Sequence, residues 1–220
     1  LYFDDKGLPY SYTDLYGKFS LHGNNGSKIN VFGFNFQDKV DYEGISELNW
    51  TSQGIGSEFI LIPGNSPVLI EGNFAYSSYD ISLDEEASPL RESGIDGFNM
   101  GFDFTYFQPK GKIKYGFDIH GFSTDFTTYN SVNSKIEQKE NTSEFSAYIN
   151  YQFNTTRFII EPGFRLQKYT LGISPEPRLG MKYIASDRLR FKVSSGYYSQ
   201  NILSTTSDRD IVNLFSGIIS

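Results

Sequence analysis

The 220-residue sequence has no cysteine, only two histidines and a single tryptophan. Without cysteine there is no disulfide framework, no thiolate nucleophile and no Cys-based metal site. There is also no run of about 18 apolar residues, so no transmembrane helix can be drawn. No signal peptide opens the chain. It starts at Leu1 rather than at a Met and stops in a polar, loop-like segment, as expected of a mature or partial piece of something longer. Net positive charge is lacking too. The formal charge is −7 and the pI about 4.9, which argues against a nucleic-acid partner.

Aromatics are what the chain has in quantity: 20 Phe and 16 Tyr, within a total hydrophobic content of only 38%. Gly contributes 21 more residues. Both classes lower helix propensity and suit strands and turns.

Period-two alternation runs through the sequence. In GFNMGFDFTYF, Phe98, Met100, Phe102, Phe104 and Tyr106 fall on one face, and Asn99, Gly101, Asp103 and Thr105 on the other. In KIKYGFDIHGF, Ile113, Tyr115, Phe117 and Ile119 oppose Lys114, Gly116, Asp118 and His120. The segments around Phe145–Phe153, Phe158–Leu166, Leu179–Tyr183 and Leu189–Val193 sort the same way. A helix would scatter these residues round its surface, whereas a strand separates them. The pattern predicts strands at 9–22, 28–38, 46–62, 68–83, 97–107, 112–127, 143–153, 157–169, 176–185 and 188–199. Short turns alternate with polar loops expected at 39–45, 84–96 and 128–142 and beyond 200, giving an up-and-down meander. Pro162, inside a strand, predicts a bulge or local break. Gly54-Ile55-Gly56 reads as a strand bend, since no Lys-Ser/Thr or helix follows to make it a phosphate loop.

Strands this long exceed the ordinary five or six residues and match the roughly 9–11 that a tilted strand needs to cross a bilayer. With strict alternation and aromatics near strand ends, they form the pattern of an outer-membrane β-barrel. Expected girdle residues are Tyr106, Tyr115, Tyr151, Phe153, Phe158 and Tyr183 on the short-turn side. On the other side they are Tyr76, Tyr79, Tyr129, Tyr169, Tyr197 and Tyr198. The competing reading is a soluble β-sandwich or lipocalin-like barrel. Strand length counts against it, as does a polar face rich in Gly, Asn, Ser and small charges, which resembles the wall of a wet lumen.

Residues 177–200 are more specific. Pro177-Arg178 opens a strand, Asp187 sits in a tight turn, and Leu189 to Val193 lead into Gly196-Tyr197-Tyr198-Ser199-Gln200. This series resembles the barrel of TonB-dependent outer-membrane receptors, and DLYGKFSLHGNNGSKINVFGFNFQD looks like the strand–turn–strand units of that family. The Phe-, Tyr-, Asn- and Lys-containing style is similar to the Bacteroidota versions. The resemblance spans about residues 10 to 200. It implies an all-β, antiparallel up-and-down transmembrane β-barrel, with about ten strands present of a larger, 22-stranded and plugged one. Residues 1–220 would then be a partial barrel domain without its plug. The implied partners are outer-membrane lipids, a TonB complex engaged through a missing N-terminal region, and surface lipoproteins or other outer-membrane subunits. The implied address is the bacterial outer membrane.

Eight polar-face residues stand out as lumen or ligand-facing candidates: Lys114, Asp118, His120, Arg165, Arg178, Lys182, Arg190 and Lys192. His120 beside Asp118 could form half of a water-polarising pair, and a solvated lumen residue is the plainer reading. Arg165, Arg178, Lys182, Arg190 and Lys192 could form an anionic-substrate track, or a basic wall balanced by Glu144 and Glu161. Asp84-Glu85-Glu86 could hold Ca²⁺ or be a solvated loop. No nucleophile–base–orienter set appears, and no catalytic residue, metal or cofactor is expected. Import of a nutrient is the expected function. A barrel scaffold for lipoprotein or secretion partners is one alternative, and a ten-stranded outer-membrane protease another.

Overall fold

The computed structural model describes residues 9–200 except 87, 130, 131, 170 and 171, and the backbone of 203–205 and 217–219. Ten strands form one antiparallel sheet in sequence order. They are β1 (Tyr10–His22), β2 (Lys28–Tyr42), β3 (Ser46–Leu61), β4 (Val68–Glu85), β5 (Ser88–Gln108), β6 (Gly111–Tyr129), β7 (Lys135–Asn154), β8 (Phe158–Lys168), β9 (Ile173–Ile184) and β10 (Arg190–Gly196). β11 (Leu203–Thr205) and β12 (Gly217–Ile219) form a separate short ladder. The meander follows from its turns. Gly26 (φ 85°), Gly44 (φ 75°), Asn65 (φ 63°) and Asn133 (φ 61°) take left-handed conformations where the chain reverses. At the first turn the Asn25 side chain accepts from the Ser27 N–H at 3.1 Å and donates to the Ile62 carbonyl at 2.8 Å, tying two neighbouring turns together.

Register sorts the side chains as the alternation predicts. Phe59, Phe102, Phe117, Ala147 and Leu166 share one face with their row-mates across β3 to β8. Burial then assigns the faces. Among the described residues Ile81 is the only large hydrophobic side chain that is buried, at 2% exposure. Phe164 and Ile149 on the apolar face stand 44% and 52% exposed, while Glu176 and Ser146 on the polar face are 1% and 2% exposed. A soluble sandwich does the opposite, burying its oil and wetting its charges. The soluble alternative therefore fails, and the apolar face is the outer one.

Aromatic pairs line the short-turn end of that outer face. Phe104 and Tyr115 stack at 5.3 Å, Phe158 and Tyr183 lie 4.9 Å apart, and Tyr183 and Phe191 stack at 6.5 Å. This is the girdle expected there. The expected upper girdle is corrected. Tyr76 lies on the outer face, but Tyr79, three residues on, falls on the inner face. Tyr198 also turns inward, its ring under the Arg178 guanidinium at 4.7 Å.

Other expectations are corrected as well. The polar loops at 39–45, 84–96 and 128–142 are mostly strand: β2 runs to Tyr42, β4 to Glu85, β5 starts at Ser88 and β7 at Lys135. Asp84 and Glu85 thus lie in β4, and Glu85 is ion-paired to Arg91 at 2.7 Å. Gly54 and Gly56 lie within β3, whose ladders to β2 and β4 run unbroken through them. They keep its inner face open for the rings of Phe34 and Phe32, which a Cβ would meet at 2.7 and 2.5 Å. The break expected at Pro162 is present in part. The β7–β8 ladder lapses between the Asn150–Gly163 and Phe153–Ile160 pairs, because proline has no N–H to donate, while Pro162 still pairs with Leu179 of β9.

Candidate lumen site

Alternation turns every second residue of β5–β9 toward the inner face, and there polar groups meet across strands. Lys114 of β6 pairs with Asp103 of β5 at 2.8 Å. The Tyr148 hydroxyl of β7 donates to the same carboxylate from the other side. Gly116, between them, permits this. A Cβ there would lie 2.6 Å from the Asp103 carboxylate and 2.3 Å from the Phe102 carbonyl oxygen.

One step toward the long end, Ser146 donates to Asp118 at 3.4 Å, and Arg165 of β8 donates to Ser146 at 2.7 Å and approaches Asp118 at 3.8 Å. Gln167 donates to Glu144 at 3.0 Å. On β9, Glu176 receives Arg178 at 2.5 Å and the Ser199 N–H and hydroxyl at 3.0 and 2.6 Å. Among the described residues, three buried side-chain atoms on this face have no partner: Glu144 Oε1, Arg165 Nε and Arg178 Nε. Buried polar groups are normally satisfied, so these are the places where water or a polar ligand fits.

Lys112, Lys114, Asn150, Glu161, Arg178 and Tyr198 line a concavity of about 350 Å³ on this face. A second, of about 230 Å³, is bordered by Lys28, Glu58, Glu71, Asn73, Asp103 and again Lys114. Such a surface presents charge and hydrogen-bonding groups.

The structure therefore places Lys114, Asp118 with Arg165, and Arg178 in three separate paired clusters, around Asp103, Ser146 and Glu176. Asp118 is committed to Ser146 and Arg165, while His120 sits in the row between Asn99 and Glu144. Lys182 and Lys192 face each other near the short-turn end, and Arg190 lies opposite Ile184. Among the described residues none of these three has an ion pair, so the basic strip divides into a neutralised upper part and an unneutralised lower one. Sequence reasoning missed Asp103, Tyr148 and Glu176 as partners. Their placement on the polar face was legible, but which strand residue each would meet depends on cross-strand register.

No protein-family model and no curated protein matches the chain. Among solved structures, the copper transporter OprC is similar with a TM-score of 0.58 at 13% identity, over 92% of this chain and 38% of that one. The translocator domain of the autotransporter NalP from Neisseria meningitidis aligns over 90% of this chain and 85% of its own, at 11% identity and a TM-score of 0.35. The chain thus spans well under half of the OprC chain. With its exposed outer oil and crowded polar inner face, this is the up-and-down antiparallel wall of an outer-membrane β-barrel, and its address is the bacterial outer membrane.

Proposed function

We propose that the chain is a section of the barrel wall of a TonB-dependent outer-membrane receptor that imports a nutrient ligand. The observation that carries this reading is an open wall with a polar interior. Among the described residues β1 and β10 each have one strand partner, and the inner face holds charged clusters with unsatisfied buried atoms. Lipid cannot satisfy a strand edge, so both edges take further strands and the barrel is larger than ten. A wide barrel needs a plug to stay sealed and energy to admit cargo, which is where a TonB complex acts. The OprC likeness supports the same scale, with this wall matching a fraction of a larger transporter.

Copper as cargo is not supported by this section. Soft thiolate or thioether ligands would be wanted, and both methionines, Met100 and Met181, share the outer face with Phe102 and Tyr183. A polar or anionic nutrient fits the Lys112, Lys114 and Arg178 wall better, with surface lipoproteins or other outer-membrane subunits as accessory partners. The Phe-, Tyr- and Asn-rich style supports a Bacteroidota source. The inner face supports binding rather than catalysis.

The test is growth of a strain lacking the full-length protein on a panel of limiting single nutrients. A TonB-dependent growth defect on one nutrient, reproduced by Lys114→Met with Arg178→Met, is expected. Normal growth on all of them, with outer-membrane complexes falling apart, would instead establish the scaffold reading.

A further inference from the structure

The outer face changes character along one line of cross-strand partners. Toward the short turns, the outer residues of β4 and β5 are Phe74, Tyr76, Phe98, Met100 and Phe102. The next row outward is Asn35, Gln53, Ser78, Asp96, Ser123 and Asn141, register partners from β2 to β7. Beyond it comes Gln37, Thr51, Asp80, Gly94, Asp125 and Lys139, and then Lys39, Asn49, Ser82, Glu92, Thr127 and Glu137. No apolar side chain occurs in these three rows.

Across β3 to β6 the inner face inverts at the same place. Asp103, Asn99 and Asn73 below it give way to Tyr79, Ile81, Ile95, Trp50 and Phe126 above it. Ile81, the one buried large hydrophobic among the described residues, belongs to this upper inner patch.

Two further observations point the same way. The outer-face ion pairs Lys39–Glu47 at 2.8 Å, Lys139–Asp125 at 3.2 Å and Lys135–Glu137 all lie beyond the row. Lys39, with Asn49, holds the exposed Glu47 carboxyl below its ordinary range. At the row itself the Tyr76 ring lies on the apolar side while its hydroxyl donates to Asp96 at 3.0 Å, as an aromatic at a membrane interface does. From Val68 to Tyr76, β4 runs about nine residues, the length a tilted strand needs to cross a bilayer, with its even-numbered residues outward, yet it continues to Glu85.

We propose that β2–β7 leave the bilayer at the Asn35–Asn141 row and rise above the outer leaflet as a water-bathed β-wall. Below the row the outer face contacts acyl chains. Above it the outer face is polar and the oil turns inward, as in a soluble sheet. The short turns are the periplasmic ends, so the extension is extracellular. This rests on the outer-membrane fold and is independent of import, so loss of the import reading leaves it standing.

The test uses single cysteines in the full-length protein at Phe74, Phe104, Asp80 and Asp125, each carrying a small fluorophore, in vesicles with and without brominated phospholipid. Strong quenching at Phe74→Cys and Phe104→Cys with loss of quenching at Asp80→Cys and Asp125→Cys is expected. Labelling of the last two by an impermeant maleimide on intact cells is also expected. Equal quenching at all four sites overturns the boundary, and failure of both aspartate sites to label on intact cells overturns the extracellular assignment.

Discussion

Asp103 accepts from the Lys114 ammonium and the Tyr148 hydroxyl at once, joining β5, β6 and β7 through side chains as well as backbone. Replacing it with Ala removes an acceptor from two half-buried donors. The expected cost is about 1–3 kcal/mol of unfolding free energy, measured by urea denaturation of the refolded protein in vesicles. Tyr148→Phe removes one donor and leaves the Lys114 pair, so it should cost less. On the outer face depth decides instead. Phe102→Arg places a charge against mid-bilayer hydrocarbon and is expected to cost about 2–4 kcal/mol, whereas Ser82→Arg, beyond the boundary row, should cost about 0–1 kcal/mol in the same assay. Equal losses would mean that the two positions share one environment.

Single strands show where sequence patterning holds and where it lapses. The membrane-crossing half of each strand was legible because Phe and Tyr alternate with Asp, Lys and Gly there. The outer halves of β5 and β7 were not, whereas the strand expected at 68–83 already took in nearly all of β4. In β5, Glu92 and Asp96 point outward and Ile95 inward, so against the lower pattern this stretch reads as a polar loop. Pro162 was legible as a disturbance, since a missing N–H is a local property. Its place in the ladder needed the register. Backbone amides along the β7–β8 seam near Tyr151 and Glu161 are expected to exchange with deuterium faster than those of the continuous β6–β7 seam near Phe117 and Ala147. Uniform protection across both seams would show that the gap carries no energetic weight.

At the scale of the whole molecule the sheet has two open edges, β1 with its 13 residues and β10 with 7. An unpaired edge in hydrocarbon is unstable, so the isolated 220-residue chain is expected to give no heat-dependent gel-mobility shift in detergent. The full-length protein is expected to show the shift of a closed barrel. A clear shift for the isolated chain would mean that its edges close on each other or on a second copy. What the sequence by itself determined was the strand meander and its two chemically different faces, because alternation and turn residues act over a few neighbouring positions. Only the tertiary structure decided which face is crowded, which charges meet, and where along each strand the oil changes sides. Those depend on residues tens of positions apart being brought into one cross-strand row, and no local pattern encodes that register.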